Sequence, residues 1–196
     1  MVGGETIRFI YSKPFQELFE KAADVDTLFI KTGPILGSDF DQSAIESSLK
    51  PLRNQLLARG ANFVLGYFDE GSGDNFDIPC SNEAATVLYD HLFRWILRDP
   101  TLGLIIKPKT PQTLLSRISR IQNLVKQVLD SGRVCMLGVG QSERYHPAAV
   151  GESVDVCIGH LMGGSAAFEA AQTGVPSILI DDLGLTDHEL RRWCSG

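Results

Sequence analysis

The chain lacks any apolar run near the ~20 residues that a helical membrane span needs. Its opening stretch, MVGGETIRFIYSKPF, has neither the basic segment nor the long apolar core of a secretory signal. A basic excess is missing as well. Net charge is −6, and no basic run with interleaved aromatics offers a nucleic-acid surface. Cysteine is sparse: Cys80, Cys135, Cys157 and Cys194 are far apart and form no C-x-x-C pair. That excludes the usual zinc and disulfide frameworks and fits a reduced, cytoplasmic protein without structural metal. Cys135 and Cys157 fall in predicted buried strands, where a thiol behaves as a small hydrophobe. The fixed-spelling phosphate motifs are absent too. No Gly-Lys-Ser/Thr occurs, and Gly138-Val139-Gly140 lacks the third glycine of a dinucleotide fingerprint.

What is present is an ordinary soluble composition, 43% hydrophobic and 21% charged, over 196 residues. That length suits one domain or one and a fraction. The most informative segment is VDVCIGHLMGGSAAFEAAQTGVPSILID, from Val154 to Asp181. Val154, Val156 and Ile158 open a buried strand, and 175–180 form a second with nearly continuous apolar character, as strands covered on both faces require. Between them, Gly163 and Gly164 let the backbone approach a ligand, and Ser165 opens a short helix whose N–H groups leave the turn as an anion seat. Glu169 lies at i+4 from Ser165 on the same helical face. A phosphate seat with a carboxylate one turn behind suits a nucleoside diphosphate, with amides for the phosphates and the carboxylate for a ribose diol. The same pattern also arises from packing alone, since Ala166, Ala167, Ala170 and Ala171 let a helix lie close to a sheet. GHLMGG nearly spells a nucleophile elbow but carries Leu161 at the nucleophile position. Gly163-x-Ser165-x-Ala167, with His188 as base, leaves a serine hydrolase as the least favoured reading.

Upstream, strands alternate with helices. An apolar run at 27–30 precedes Gly33-Pro34. A helix is expected from Asp41 to Arg59, interrupted or restarted at Pro51, and a strand from Asn62 to Phe68. Ser81 caps a helix to Arg98 with Ala85, Leu88, Leu92, Trp95 and Ile96 on one face. A strand from Leu102 to Ile106 delivers Lys107-Pro108-Lys109. A helix from Pro111 to Leu129 places Leu114, Leu115, Ile118, Ile121, Leu124, Val125 and Val128 inward. A strand from Arg133 to Leu137 ends at Gly138-Val139-Gly140, and His146-Pro147 starts a short helix to Glu152. This order predicts an α/β fold, a Rossmann-like parallel sheet with helices on both faces. In such sheets ligands bind outside the carboxyl ends of the strands. The expected edge therefore collects Asp69-Glu70, Lys107 and Lys109, the loop from Gly138 to Arg144, and the turn from His160 to Ser165.

The order FDE loop, helix, strand with KPK, long helix, GVG strand end and then the glycine-helix-strand segment resembles the donor-binding half of GT-B glycosyltransferases. It is most similar to surface and capsular carbohydrate enzymes related to the CDP-glycerol glycerophosphotransferases, over roughly Asn62 to Leu183. The resemblance implies one half of a GT-B fold. It implies donor phosphates on Gly163, Gly164 and Ser165, the ribose on Glu169, and the base near Gly138 and Gly140. Lys107 and Lys109 stand beside the diphosphate, where many relatives carry His-Pro instead. It implies no metal or other cofactor, because helix dipole and basic side chains stabilise the leaving diphosphate. The donor itself is a UDP-sugar or a CMP/CDP-linked substrate.

In that family a second Rossmann-like domain supplies the acceptor site. Residues 1–60 are too short for one and are expected to be a partial N-terminal and connecting segment, with 61–196 as the donor domain. The expected function is transfer of a sugar or polyol phosphate in surface polysaccharide synthesis. An acceptor domain or partner subunit is required, bringing peripheral membrane association with it, and catalytic residues are left unassigned. Phe15, Leu18, Phe19, Leu28, Phe29, Ile30 and Phe40 predict homodimerisation through the N-terminal segment or its docking beside the sheet. The residues also admit a nucleotide-sugar 2-epimerase-like enzyme and a non-catalytic nucleotide-binding or assembly module. The epimerase pattern is only half matched, because Phe168 precedes a single Glu169.

Overall fold

Every strand pair among the described residues is parallel. The computed structural model describes residues 6–10, 12–22, 27–33, 42–73, 80–140, 145–161, 163–181 and 184. Two compact units divide between Asp41 and Gln42, whereas the sequence pattern places the boundary at residue 60.

In the smaller unit, β1 (Thr6–Ile10) and β2 (Thr27–Lys31) pair in parallel with α1 (Lys13–Ala22) between them in the chain. Neither β1 nor α1 is expected from the sequence. Ile7 pairs with Leu28 and Phe9 with Ile30. These four side chains share one face, and all are exposed. The Arg8 guanidinium lies 5.5 Å from the ring centroid of Phe19. The side chains of Phe15, Leu18 and Phe40 lie outside the described residues.

The larger unit begins with α2 (Gln42–Ala58), which continues through Pro51. It then alternates β3 (Phe63–Asp69), α3 (Asn82–Arg98), β4 (Leu102–Pro108), α4 (Pro111–Arg117), a 3₁₀ turn (Ser119–Ile121), α5 (Gln122–Asp130) and β5 (Val134–Met136). There follow α6 (Pro147–Gly151), β6 (Val156–His160), α7 (Ser165–Ala171) and β7 (Ser177–Ile180). All five strands pair in parallel in the order β5-β4-β3-β6-β7. Counted within this unit the order is third, second, first, fourth, fifth, the arrangement of a doubly wound nucleotide fold. The chain reverses its winding between β3 and β6.

Side-chain alternation along the strands sorts the core into two layers. On one face Leu65, Tyr67, Leu104, Ile106 and Ile158 pack with Tyr89, Phe93 and Ile96 of α3, Leu114 of α4 and Leu124, Val125 and Val128 of α5. On the other, Val64, Phe68, Ile105 and Cys157 pack with Leu49 and Leu56 of α2 and with small residues of α6 and α7. Helices therefore cover both faces, as expected. Burial pushes the Cys157 thiol up to about 12, which makes it inert at neutral pH.

The expected faces need two corrections. In α3 the inner stripe runs through Tyr89 and Phe93, and Trp95 is turned outward. The expected helix at 111–129 is broken at Ile118, whose φ of −105° and ψ of 22° leave the helical region, and Leu115 faces out. The break lets α4 and α5 each aim an apolar side at the sheet. Arg133 anchors this side of the unit: its Nη1 donates to the carbonyls of Ile96, Asp99 and Leu102 at 2.7, 2.9 and 2.8 Å. On the opposite face Arg53 of α2 grips Asp155 at 2.9 Å, and Asp155 in turn accepts from the Val64 amide at 2.7 Å.

Candidate functional site

The winding reversal leaves a crevice at the carboxyl edge, between the ends of β3 and β6. Leu65, Gly66 and Tyr67 pair with Val156, Cys157 and Ile158, so Asp69 and His160 end the two strands side by side. The Lys109 amide donates to the Asp69 carbonyl at 3.0 Å, which holds the Lys107-Pro108-Lys109 turn against the end of β3. The starts of α6 and α7 close the remaining sides. The resulting cavity is about 210 Å³ and is lined by residues including Glu70, Lys107, Lys109, Pro147, Ser165 and Glu169.

Four of the eight expected site residues therefore meet in one place: Lys107, Lys109, Ser165 and Glu169. Gly163 and Gly164 form the turn directly before Ser165. Gly163 has φ +81°, a conformation suited to glycine. A side chain on Gly164 would collide with the His160 carbonyl oxygen, so this glycine is required by the chain's own close approach. Gly138 and Gly140 are not among the cavity-lining residues. They follow β5, an edge strand two places from the crevice. Residues 141–144 of that loop, and His188, lie outside the described residues.

Two details differ from the expected anion seat. The Ser165 amide donates to the Gly163 carbonyl at 2.8 Å, so it does not face a ligand. With the Phe168 amide bonded to the Gly164 carbonyl at 3.1 Å, Ala166 and Ala167 carry the first-turn amides without an intrahelical acceptor. Glu169, expected to serve a ribose alone, is half-buried, and its Oε1 accepts from the Ala148 amide at 3.4 Å. It thus caps α6, whose own N-cap residue His146 makes no side-chain cap bond.

Burial raises the Glu169 carboxyl above its usual range, against the Ala148 amide and the charges of His146 and Lys107. Burial lowers the half-buried Lys107 ammonium, while the carboxylates of Glu169 and Glu70 act in the opposite direction. The cavity mouth thus mixes two lysines with two carboxylates in a partly dehydrated space.

Beneath it lies a polar layer of which sequence reasoning anticipated Asp69 and His160 but not Arg117, Tyr67 or Tyr89. Arg117 of α4 meets Asp69 with Nη2 at 2.6 Å from Oδ2, and their side chains are 8% and 3% exposed. Arg117 Nη1 also donates to Ser72 at 2.9 Å. The Tyr67 hydroxyl lies 2.9 Å from His160 Nε2, and the Tyr67 ring meets Tyr89 edge-on at 5.4 Å. Burial, with the nearby Asp69 charge, pushes the Tyr89 hydroxyl well above its ordinary value. Tyr89 and Tyr67 sit in strongly periodic apolar segments, which gives each a packing role in the sequence and conceals the polar one.

Among the described residues, no group of three or more His, Cys, Asp or Glu is placed to hold a metal ion. The Asp-x-Asp triplets at 24–26 and 39–41 lie outside those residues. Among the described residues no helix is long and apolar enough to cross a membrane.

No family model matches the chain, and no curated protein sequence matches it. Among solved structures, a similar one is the crystal structure of Anabaena Alr3699/HepE in complex with UDP and glucose. Its TM-score is 0.50 at 19% identity, and the match covers 89% of this chain and 44% of that one. The chain thus spans less than half the length of its structural neighbour. At this identity the likeness is one of fold, and it agrees with the α/β Rossmann-like architecture described above.

Proposed function

We propose that the larger unit binds the nucleotide part of an activated donor and belongs to a GT-B glycosyltransferase of surface polysaccharide synthesis. The observation that carries this is the convergence of Lys107, Lys109, Ser165 and Glu169 on one cavity at the point where the winding of the sheet reverses. The fold neighbour was crystallised with UDP and glucose, which favours a nucleotide-sugar over other anions. In this reading the lysines and the amides of Ala166 and Ala167 neutralise the diphosphate as it leaves. Glu169 accepts from a ribose hydroxyl. A carboxylate has acceptor capacity at both oxygens, so capping Ala148 with one does not exhaust it. The transferred group is a sugar or a polyol phosphate, as in the relatives of CDP-glycerol glycerophosphotransferases. The acceptor and the remaining catalytic groups come from a further domain or subunit. Calorimetry with UDP, CDP and CMP tests the reading: at least one should bind the folded chain, and binding of none overturns it.

A further inference from the structure

A carboxylate already rests on the glycine turn and pairs with a mouth lysine. Glu70 Oε2 accepts from Lys109 Nζ at 3.1 Å. A Cβ on Gly163 would lie only 2.8 Å from the same oxygen, so the Glu70 carboxylate rests directly on the glycine turn. Its side chain is 13% exposed, whereas that of Lys109 is 62% exposed. The Glu70 charge also acts on Lys107. Asp69, the neighbouring acid, also lines the cavity but is already engaged by Arg117. The two lysines of the mouth are therefore balanced by Glu70 and Glu169 before any ligand arrives.

We propose that Glu70 is an anionic placeholder, occupying the place and the lysine partner of a diphosphate until the ligand displaces it. This rests on the nucleotide-site reading and deepens it. Lys109 is exposed, so water can take up its charge when the pair separates, and an anion can replace Glu70 at Lys109 where a neutral ligand cannot. A diphosphate engages Lys109 and Lys107 together and lets Glu70 rotate outward. A monophosphate replaces one carboxylate by one phosphoryl group and gains less. A nucleoside leaves the pair in place.

Calorimetry with uridine, UMP, UDP and inorganic pyrophosphate decides this for the native chain, Glu70→Gln and Glu70→Asp. Removing a unit charge at ionic contact distance in a partly solvated site should tighten UDP and pyrophosphate about tenfold in Glu70→Gln. UMP should tighten about threefold and uridine should stay within about twofold. Glu70→Asp, which keeps the charge but withdraws it by one methylene, should give a smaller gain of the same sign and guards against poor folding of the glutamine variant. Equal or weaker UDP and pyrophosphate binding in both variants overturns the proposal, as does an equal gain for uridine. If no nucleotide binds any of the three chains, the nucleotide reading fails. Tightened pyrophosphate would then still uphold Glu70 as an anion placeholder, and unchanged or absent pyrophosphate binding would remove that too.

Discussion

Asp69 and Glu70 are consecutive acids at the end of β3, yet their surroundings are opposite. Asp69 turns down into the protein and meets Arg117, both side chains at least nine-tenths buried. Glu70 turns to the cavity mouth and meets an exposed lysine. A buried ion pair deprived of one partner leaves an uncompensated charge in low dielectric, whereas in the Glu70 pair the lysine is exposed and water can take up its charge when the partners separate. One residue step along a strand thus separates a fixed floor from an exchangeable mouth.

Breaking the floor should have the largest effect. Arg117→Ala strands the Asp69 carboxylate, with Tyr89 close by, and should lower unfolding free energy by about 3–5 kcal/mol. Urea denaturation measures it. A loss below about 1 kcal/mol would mean that water reaches Asp69 and that floor and mouth do not differ in kind. The paired change Asp69→Leu with Arg117→Leu should recover much of that loss, because well-packed apolar replacements of buried pairs are often neutral.

The glycine turn lies between floor and mouth and should come second. Any Cβ on Gly164 would collide with the His160 carbonyl, so substitution here acts on the fold before it acts on a ligand. Even Gly164→Ala must shift backbone, at about 1–3 kcal/mol of stability, the usual range for overpacking. Thermal melting that leaves Gly164→Ala at native stability would show that β6 and α7 can separate there.

Substitution of the mouth lysine should move binding more than folding. Lys109→Met removes a surface partner of Glu70, worth roughly 0–1 kcal/mol to stability. UDP affinity should fall about tenfold, equivalent to ~1.4 kcal/mol. Parallel losses of stability and affinity would instead assign Lys109 to the scaffold.

The two layers also differ in how legibly the sequence encodes them. The mouth could be anticipated because parallel strands must end at one edge, so Lys107, Lys109, Ser165 and Glu169 are brought together by topology alone. Gly138 and Gly140 satisfied the same rule by strand end, but β5 lies at the sheet's margin, and strand order is not written in local pattern. Of the floor, strand ends pointed to Asp69 but not to its partner. Arg117 reads as a polar residue on an amphipathic helix, and its partner stands 48 positions away. In α3, Trp95 fits the apolar period as well as Tyr89 does, and only packing against Tyr67 selects between them. The break at Ile118 was equally silent, because Ile118 and Ile121 keep helical spacing across it.

Glu169 both lines the mouth and caps α6, and its titration offers the finest test. Its carboxyl is raised in the folded chain, chiefly by burial. The native state therefore holds the proton more tightly than the unfolded state, whose value is near the ~4.3 of a free glutamate side chain. A group raised in this way contributes stability below the unfolded value and loses it as pH rises through the folded one. The stability of the native chain relative to Glu169→Gln should accordingly decline between about pH 4 and the raised value and then level off. Opposing this decline is the Ala148 amide, which favours the ionised form and makes the net slope small. Urea midpoints of both chains across that range measure it with the other carboxylates cancelling. A difference that rises with pH would mean that the α6 cap outweighs burial and that Glu169 is chiefly a scaffold residue. A declining one leaves its charge held at a cost in stability, which is the condition expected of a carboxylate kept for a ligand.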